Sequence, residues 1–161
     1  MTAMSRFGAF AYSLAVFIVA ADQITKSWAL VALDWGHRSI GIWGPLRFTL
    51  VENNGVSFGL FHSEGIFGRI ALSGFSMAVV IAMAIWVRRA DRVFAGLAIG
   101  LIMGGALGNV IDRWRYGSVV DFVDVQRLHF PWVFNLADSA ITVGIVIFII
   151  ETAFPHRNEA A

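Results

Sequence analysis

Read along the chain, apolar residues gather in four blocks, each near the roughly 20 residues that a helix needs to cross a bilayer. They lie at about Phe7–Ala29, Ile66–Val87, Val93–Ile111 and Trp132–Ala153. The first block is longer than the roughly 7–15 residues of a cleaved leader's apolar region, and only Arg6 precedes it, so it is expected to be a retained span. Between the first two blocks, residues 31–65 contain "RFTLVENNGVSFGLF", where β-branched and aromatic residues flank an Asn-Asn-Gly turn signal. A small strand-rich element is predicted there. Residues 112–131 are amphipathic and dense in aromatics, which predicts an interfacial segment. The expected fold is mainly α: one integral membrane domain over residues 1–161, with four transmembrane helices and a small strand-rich element on the outer surface.

Composition agrees with the pattern. The chain is 58% hydrophobic and 14% charged, against about 45–50% and about 25% in soluble domains. A net charge of +1, without a basic run, predicts no nucleic-acid partner. Cysteine is absent, which excludes thiolate chemistry and disulfides.

Orientation follows from "VRRADRV", a tight connection between the second and third spans that carries Arg88, Arg89 and Arg92. Short basic loops stay cytoplasmic. With four spans both termini are then expected inside, in keeping with Arg6 and Arg157. In the third span Gly96, Gly100, Gly104 and Gly108 recur every fourth residue. Such a stripe lets helix backbones approach closely in lipid, whether toward another span or another copy. A monomer is expected.

Four alternating spans bring the end of the first and third helices and the start of the fourth to the outer face. The acids sit at those places. Asp22, Thr25 and Lys26, then Asn109, Asp112 and Arg113, then Asn135, Asp138 and Ser139 each follow i, i+3, i+4 spacing and so share a helix face. Asp121 lies between the last two groups, and Asn53 lies in the strand-rich element. Bland uses exist for several of them. Asp112 and Arg113 could pair at a helix end, Asp22 could pair with Lys26, and Asp138 could complement a helix dipole. Asp121, with apolar neighbours, is a stronger catalytic candidate than Asp124, which precedes Gln126 and Arg127 and is expected to be more solvated.

An ionisable residue within a membrane is by default a candidate functional group. His37, His62, His129 and His156 show no ligand spacing, and no bidentate-Glu loop or nucleophile elbow is present. Paired carboxylates are the simpler chemistry. Two that share a dry site cannot both ionise easily, so one keeps a proton while the other acts as base toward water. Spacing alone leaves open which two of Asp22, Asp112, Asp121, Asp124 and Asp138 pair.

The blocks "DQITK", "NNGVSF", "GALGNVIDR", "VVDF" and "FNLADSAI" run in order from residue 22 to 141. Together they resemble the bacterial lipoprotein signal peptidases (signal peptidase II), aspartic peptidases of the inner membrane. The resemblance implies cleavage of a diacylglyceryl-modified prolipoprotein on the N-terminal side of its lipidated cysteine, near the outer face, with membrane lipid around the site. It implies Asp121 and Asp138 as the catalytic dyad. Asn53, Asn109, Arg113 and Asn135 match site-lining positions, and Asp22 and Asp112 match supporting ones, with Lys26 beside them in the "DQITK" block. One departure is Ser57, where the family commonly has alanine.

The rival reading is a small ion-coupled transporter or channel using the same acids. Its polar route is missing, because the acids gather at one end of the spans. A scaffold would account for the glycines but not for the acids. The dyad reading requires no cofactor and no metal: activity is expected to survive a strong chelator, and its loss there would remove the metal-free mechanism.

Overall fold

The computed structural model describes residues 5–55, 65–90, 92–128, 130 and 132–153. Ser57, His62, His129, His156 and Arg157 lie outside them, as does the 56–64 end of the expected strand-rich element. Four long helices are present: α1 (Arg6–Ala32), α2 (Ile66–Trp86), α3 (Val93–Arg115) and α4 (Leu136–Ala153). All four are long and apolar enough to span a membrane. Strands β1 (Ser39–Trp43), β2 (Leu46–Asn53), β3 (Val119–Asp124) and β4 (Val133–Phe134) form one antiparallel sheet in that order.

α3 is the central helix. In its most apolar stretch 67% of residues are buried, against 17–22% in the other three, and it packs on all of them. The glycine stripe forms its seam with α1. A Cβ on Gly96, Gly100 or Gly104 would stand 2.8 Å from the carbonyl oxygen of Phe7, Ala11 or Ala15, and one on Gly108 would stand 2.6 Å from Asp22 Oδ2. The stripe therefore faces another span of the same chain. Gly105 and Gly144 serve the α3–α4 contact in the same way, against Ala137 and Ala98. The outward faces carry Val16, Phe17, Ile24, Phe75, Ile85 and Ile149, each more than half exposed, as lipid contact requires.

The ends of the bundle differ. Ser5 caps α1 by accepting from Gly8 N at 3.0 Å, and its hydroxyl donates to Ala90 O at 2.8 Å. This pins the start of α1 to the arginine-bearing turn between α2 and α3. At the other end Ala29, Leu33 and Phe122 form a small core with Phe48 and Leu50, which seats the sheet on the end of α1. Trp28 meets Phe48 edge-on at 5.1 Å between ring centroids.

Three local expectations change. The hairpin turn lies at Gly44–Pro45, whereas Asn53 ends β2 and Asn54–Gly55 follow it. The stretch expected to lie at the interface also supplies a strand not expected there, β3, which pairs Val51 with Asp121 and Asn53 with Val119. Finally, α4 begins at Leu136 rather than Trp132, because Val133 and Phe134 pair with Asp124 and Val123.

Gly104→Ala is expected to lower thermal stability in detergent, at a cost of about 1–3 kcal/mol. Gly74→Ala, on a helix face with nothing within 4 Å, is expected to be neutral or to stabilise by about 0.5–1 kcal/mol.

Candidate active site

Where the sheet meets the bundle, a polar cluster is sealed from solvent. Asp22 and Asp112 are 0% exposed, Lys26 and Asp121 1%, Asn135 0% and Asp138 6%. A buried charge is tolerated only when paired and hydrogen-bonded, and Lys26 meets that condition with three partners. Its Nζ lies 2.8 Å from Asp22 Oδ2 and 2.7 Å from Asp112 Oδ2, and it donates to Asn109 Oδ1 at 3.0 Å. The i, i+4 pair of α1 therefore forms, but Asp112 pairs with Lys26 rather than with its neighbour Arg113.

The two aspartates that hold Lys26 also reach the elements beyond. Asp22 Oδ1 accepts from Ala137 N at 3.0 Å, satisfying one free N–H at the start of α4. Asp112 Oδ2 accepts from Val120 N at 3.1 Å, tethering β3 one residue before Asp121. Gln23, passed over in the sequence because it is neutral, donates to Asp112 Oδ1 at 2.8 Å and to Gly108 O at 3.3 Å. Its position three residues before Lys26, on the same helix face, was the available signal.

Asn135 is the N-cap of α4. Its Oδ1 accepts from Asp138 N at 2.9 Å, and Asp138 Oδ2 accepts from Asn135 N at 3.3 Å, a reciprocal capping box with aspartate in the third helical position. That geometry fixes Asp138. The Asn135 amide then donates to Asp121 Oδ1 at 2.7 Å, so one residue bonds both carboxylates, Asp121 through its side chain and Asp138 through its backbone N–H. Asn53 Nδ2 donates to the other Asp121 oxygen at 2.9 Å, and Asn109 Nδ2 donates to Asp138 Oδ1 at 2.9 Å. Arg113 donates to Gly55 O at 3.2 Å, while Asn53 Oδ1 accepts from Gly55 N at 2.9 Å. The arginine thus steadies the turn that presents Asn53. Burial, followed by the Asp138 charge, pushes the Asp121 carboxyl up to about 7, against the lowering effect of its Asn53 and Asn135 donors.

All nine residues expected at the site are brought together. Thr25 and Ser139 are not part of it, because their hydroxyls donate to Ala21 O and Asn135 O on their own helices. Asp124 is a correction. It is 7% exposed rather than solvated, and its Oδ1 accepts from Gln126 N at 2.9 Å in the turn after β3. Among the described residues no three His, Asp or Glu stand together as a metal-ligand set.

The signal peptidase (SPase) II family profile, Peptidase_A8, matches residues 14–154. The chain belongs to the signal peptidase II family. The lipoprotein signal peptidase of Caulobacter vibrioides is 46% identical over 97% of this chain and 94% of its own length. That of Methylorubrum extorquens is 43% identical over 85% and 81%. Two solved bacterial membrane enzymes superpose with TM-scores of 0.78 and 0.76 at 30% and 31% identity, covering 94% and 92% of this chain and 94% of each of theirs. The protein is thus a membrane-spanning aspartic peptidase of the signal peptidase II type.

Lys26→Met leaves Asp22 and Asp112 buried without a counter-charge. It is expected to cost about 3–5 kcal/mol in stability, read by thermal unfolding in detergent. Adding Asp22→Asn and Asp112→Asn is expected to restore part of that loss.

Proposed function

We propose that Asp121 and Asp138 form a catalytic dyad that removes the signal peptide from diacylglyceryl-modified prolipoproteins, cleaving on the N-terminal side of the lipidated cysteine. The observation that carries this reading is the shared Asn135. It binds both carboxylates, which come from different elements and face one buried place. The Peptidase_A8 match and the lipoprotein signal peptidase relatives supply the substrate class.

In the proposed cycle Asp121 holds one proton and donates it to the scissile carbonyl oxygen. Asp138 takes a proton from water as the water oxygen attacks the carbonyl carbon, giving a neutral gem-diol. Asp138 then passes its proton to the leaving nitrogen as the C–N bond breaks. Asp121 recovers a proton as the carbonyl re-forms, and both acids return to their starting states. Asn53 and Asn135 hold Asp121, while Asn109 and the Asn135 N–H hold Asp138. Asp22, Lys26 and Asp112 keep the two carrying elements in place without touching the reacting atoms.

The membrane placement in this reading has both termini in the cytoplasm and the dyad near the outer face of the inner membrane. The basic turn at Arg88 and Arg92 and the sheet at the opposite end of the bundle support it. The scissile bond of a lipid-anchored chain lies at that depth, which gives a reason for an acid in the first turn of an apolar helix.

Cleavage of a lipidated prolipoprotein peptide tests the proposal. Asp121→Asn and Asp138→Asn are each expected to abolish turnover, while Asp112→Asn, if folded, keeps part of it. Normal cleavage by both dyad variants would sink the mechanism. The wild-type rate is expected to fall as pH rises through about 7, because the Asp121 proton is then lost. Stability moves in the same direction. The folded state binds this proton up to about 7, whereas the unfolded chain releases it near 3.8, so stability declines as pH rises between those values. Asp121→Asn, which resembles the protonated acid, is expected to flatten that decline in a thermal-unfolding series.

A further inference from the structure

A separate cavity of about 310 Å³ opens beside the sheet, between β2, the start of α2 and the Tyr116–Ser118 turn. It lies across the β2–β3 ribbon from Asp121. Paired residues share a sheet face and successive residues alternate. Val51 with Asp121 and Asn53 with Val119 therefore stand on one side, and Glu52 with Val120 on the other. Ser118, in the bend just before β3, lines the cavity together with Glu52.

The cavity wall is rich in unused donors. Ser118 is 4% exposed, and its Oγ has no hydrogen-bond partner. Arg69 also lines the cavity, with a buried and unpartnered Nε and its guanidinium 5.8 Å from the Trp114 ring centroid. Among the described residues its charge has no carboxylate partner. Gly117, at φ +87, turns the chain from α3 toward β3 and brings the wall within 3.7 Å of Arg69 Nη1, measured from an added Cβ. The cavity also meets the N-terminus of α2, where Gly65 makes no side-chain cap, so the positive end of a 21-residue helix adds to the donors.

Buried polar groups without partners are costly unless a ligand completes them. A guanidinium, a hydroxyl and a helix N-terminus together suit a phosphate. Glu52, exposed on the same wall, suits a cation carried beside it. Ile66 at 57%, Phe67 at 86% and Trp114 at 62% exposure stand next to these groups, where hydrocarbon meets headgroups. We propose that this cavity binds the headgroup of a zwitterionic membrane phospholipid, with its phosphate on Arg69 and Ser118 and its ammonium toward Glu52. The site is independent of the peptidase reading, since Glu52, Arg69 and Ser118 have no part in the dyad network.

The test uses the full chain in detergent and native mass spectrometry. The probes are dioleoylphosphatidylethanolamine, dioleoylphosphatidylglycerol, dioleoylglycerol and inorganic phosphate. One phosphatidylethanolamine is expected to be retained per chain, more tightly than phosphatidylglycerol, and dioleoylglycerol is not. Arg69→Gln and Ser118→Ala are each expected to weaken retention about tenfold, and Glu52→Gln to erase the preference over phosphatidylglycerol. Ser118→Ala removes only an unbonded hydroxyl, so its lipid-free thermal stability stays at or above wild type, which separates lost binding from misfolding. Equal retention by wild type and both variants, or of dioleoylglycerol and phosphatidylethanolamine, overturns the site. Saturable binding of inorganic phosphate that displaces the phospholipid completely overturns the lipid assignment in favour of free phosphate.

Discussion

The arrangement of this protein depends on one buried ammonium. Lys26 lies six residues from the end of α1, roughly 9 Å of helix, and is 1% exposed. Such a charge must fill its donors or be expelled, and each of its three donors has an acceptor: Asp22 on α1, and Asn109 and Asp112 on α3. Those acceptors then act a second time. Asp22 holds the first turn of α4, Asp112 holds β3, and Asn109 holds Asp138. The two acids proposed for the chemistry are thus placed through partners of a lysine that bonds to neither in the described network.

Charge balance follows from the same cluster. Asp22, Asp112, Asp121 and Asp138 outnumber Lys26 and Arg113, and the Lys26 ammonium is committed to Asp22 and Asp112. Asp121 and Asp138 take their side-chain hydrogen bonds from amide donors, with the Arg113 charge acting on both. Neutral amides can orient a carboxylate without cancelling its charge, so burial first and repulsion from Asp138 second raise the Asp121 carboxyl against the lowering effect of its amide donors. Replacing an asparagine here by a base would ease the repulsion and discharge the proton that the pair is proposed to share.

Much of this was readable from the sequence, for a definite reason. Helical spacing within a long apolar run is a strong periodic signal, so Asp22 with Lys26, Asn109 with Asp112, and Asn135 with Asp138 were identifiable as facing sets. Glycines four apart likewise announced a close helix contact, though not its partner; that required α1 to offer Phe7, Ala11 and Ala15 at matching intervals. The sheet was harder. β3 is buried on both faces, and its VVDFVD sequence places acids three apart, at Asp121 and Asp124, so period-two alternation does not reveal it. The polar neighbours Gln126 and Arg127 suggest solvent around Asp124, whereas its burial comes from pairing with β2 and β4. Gln23 carries no charge and so gives no signal of this kind, although its half-buried amide is what joins the Asp112 carboxylate to the α3 backbone.

The glycine seam and the polar cluster are one device. Gly108 is the last residue of the stripe, and a Cβ there would meet Asp22 Oδ2 at 2.6 Å. A side chain at that position would push α1 from α3 at the level where Lys26 must bridge them. Close packing along the apolar length therefore sets the helix separation at the polar end, where salt-bridge distances of 2.7 and 2.8 Å leave little slack. A fraction of an ångström of splay would lengthen those contacts and leave charge unpaired in a medium that cannot hydrate it. Apolar packing gives this site its dimensions, and the buried ion network then transmits them to β3 and α4.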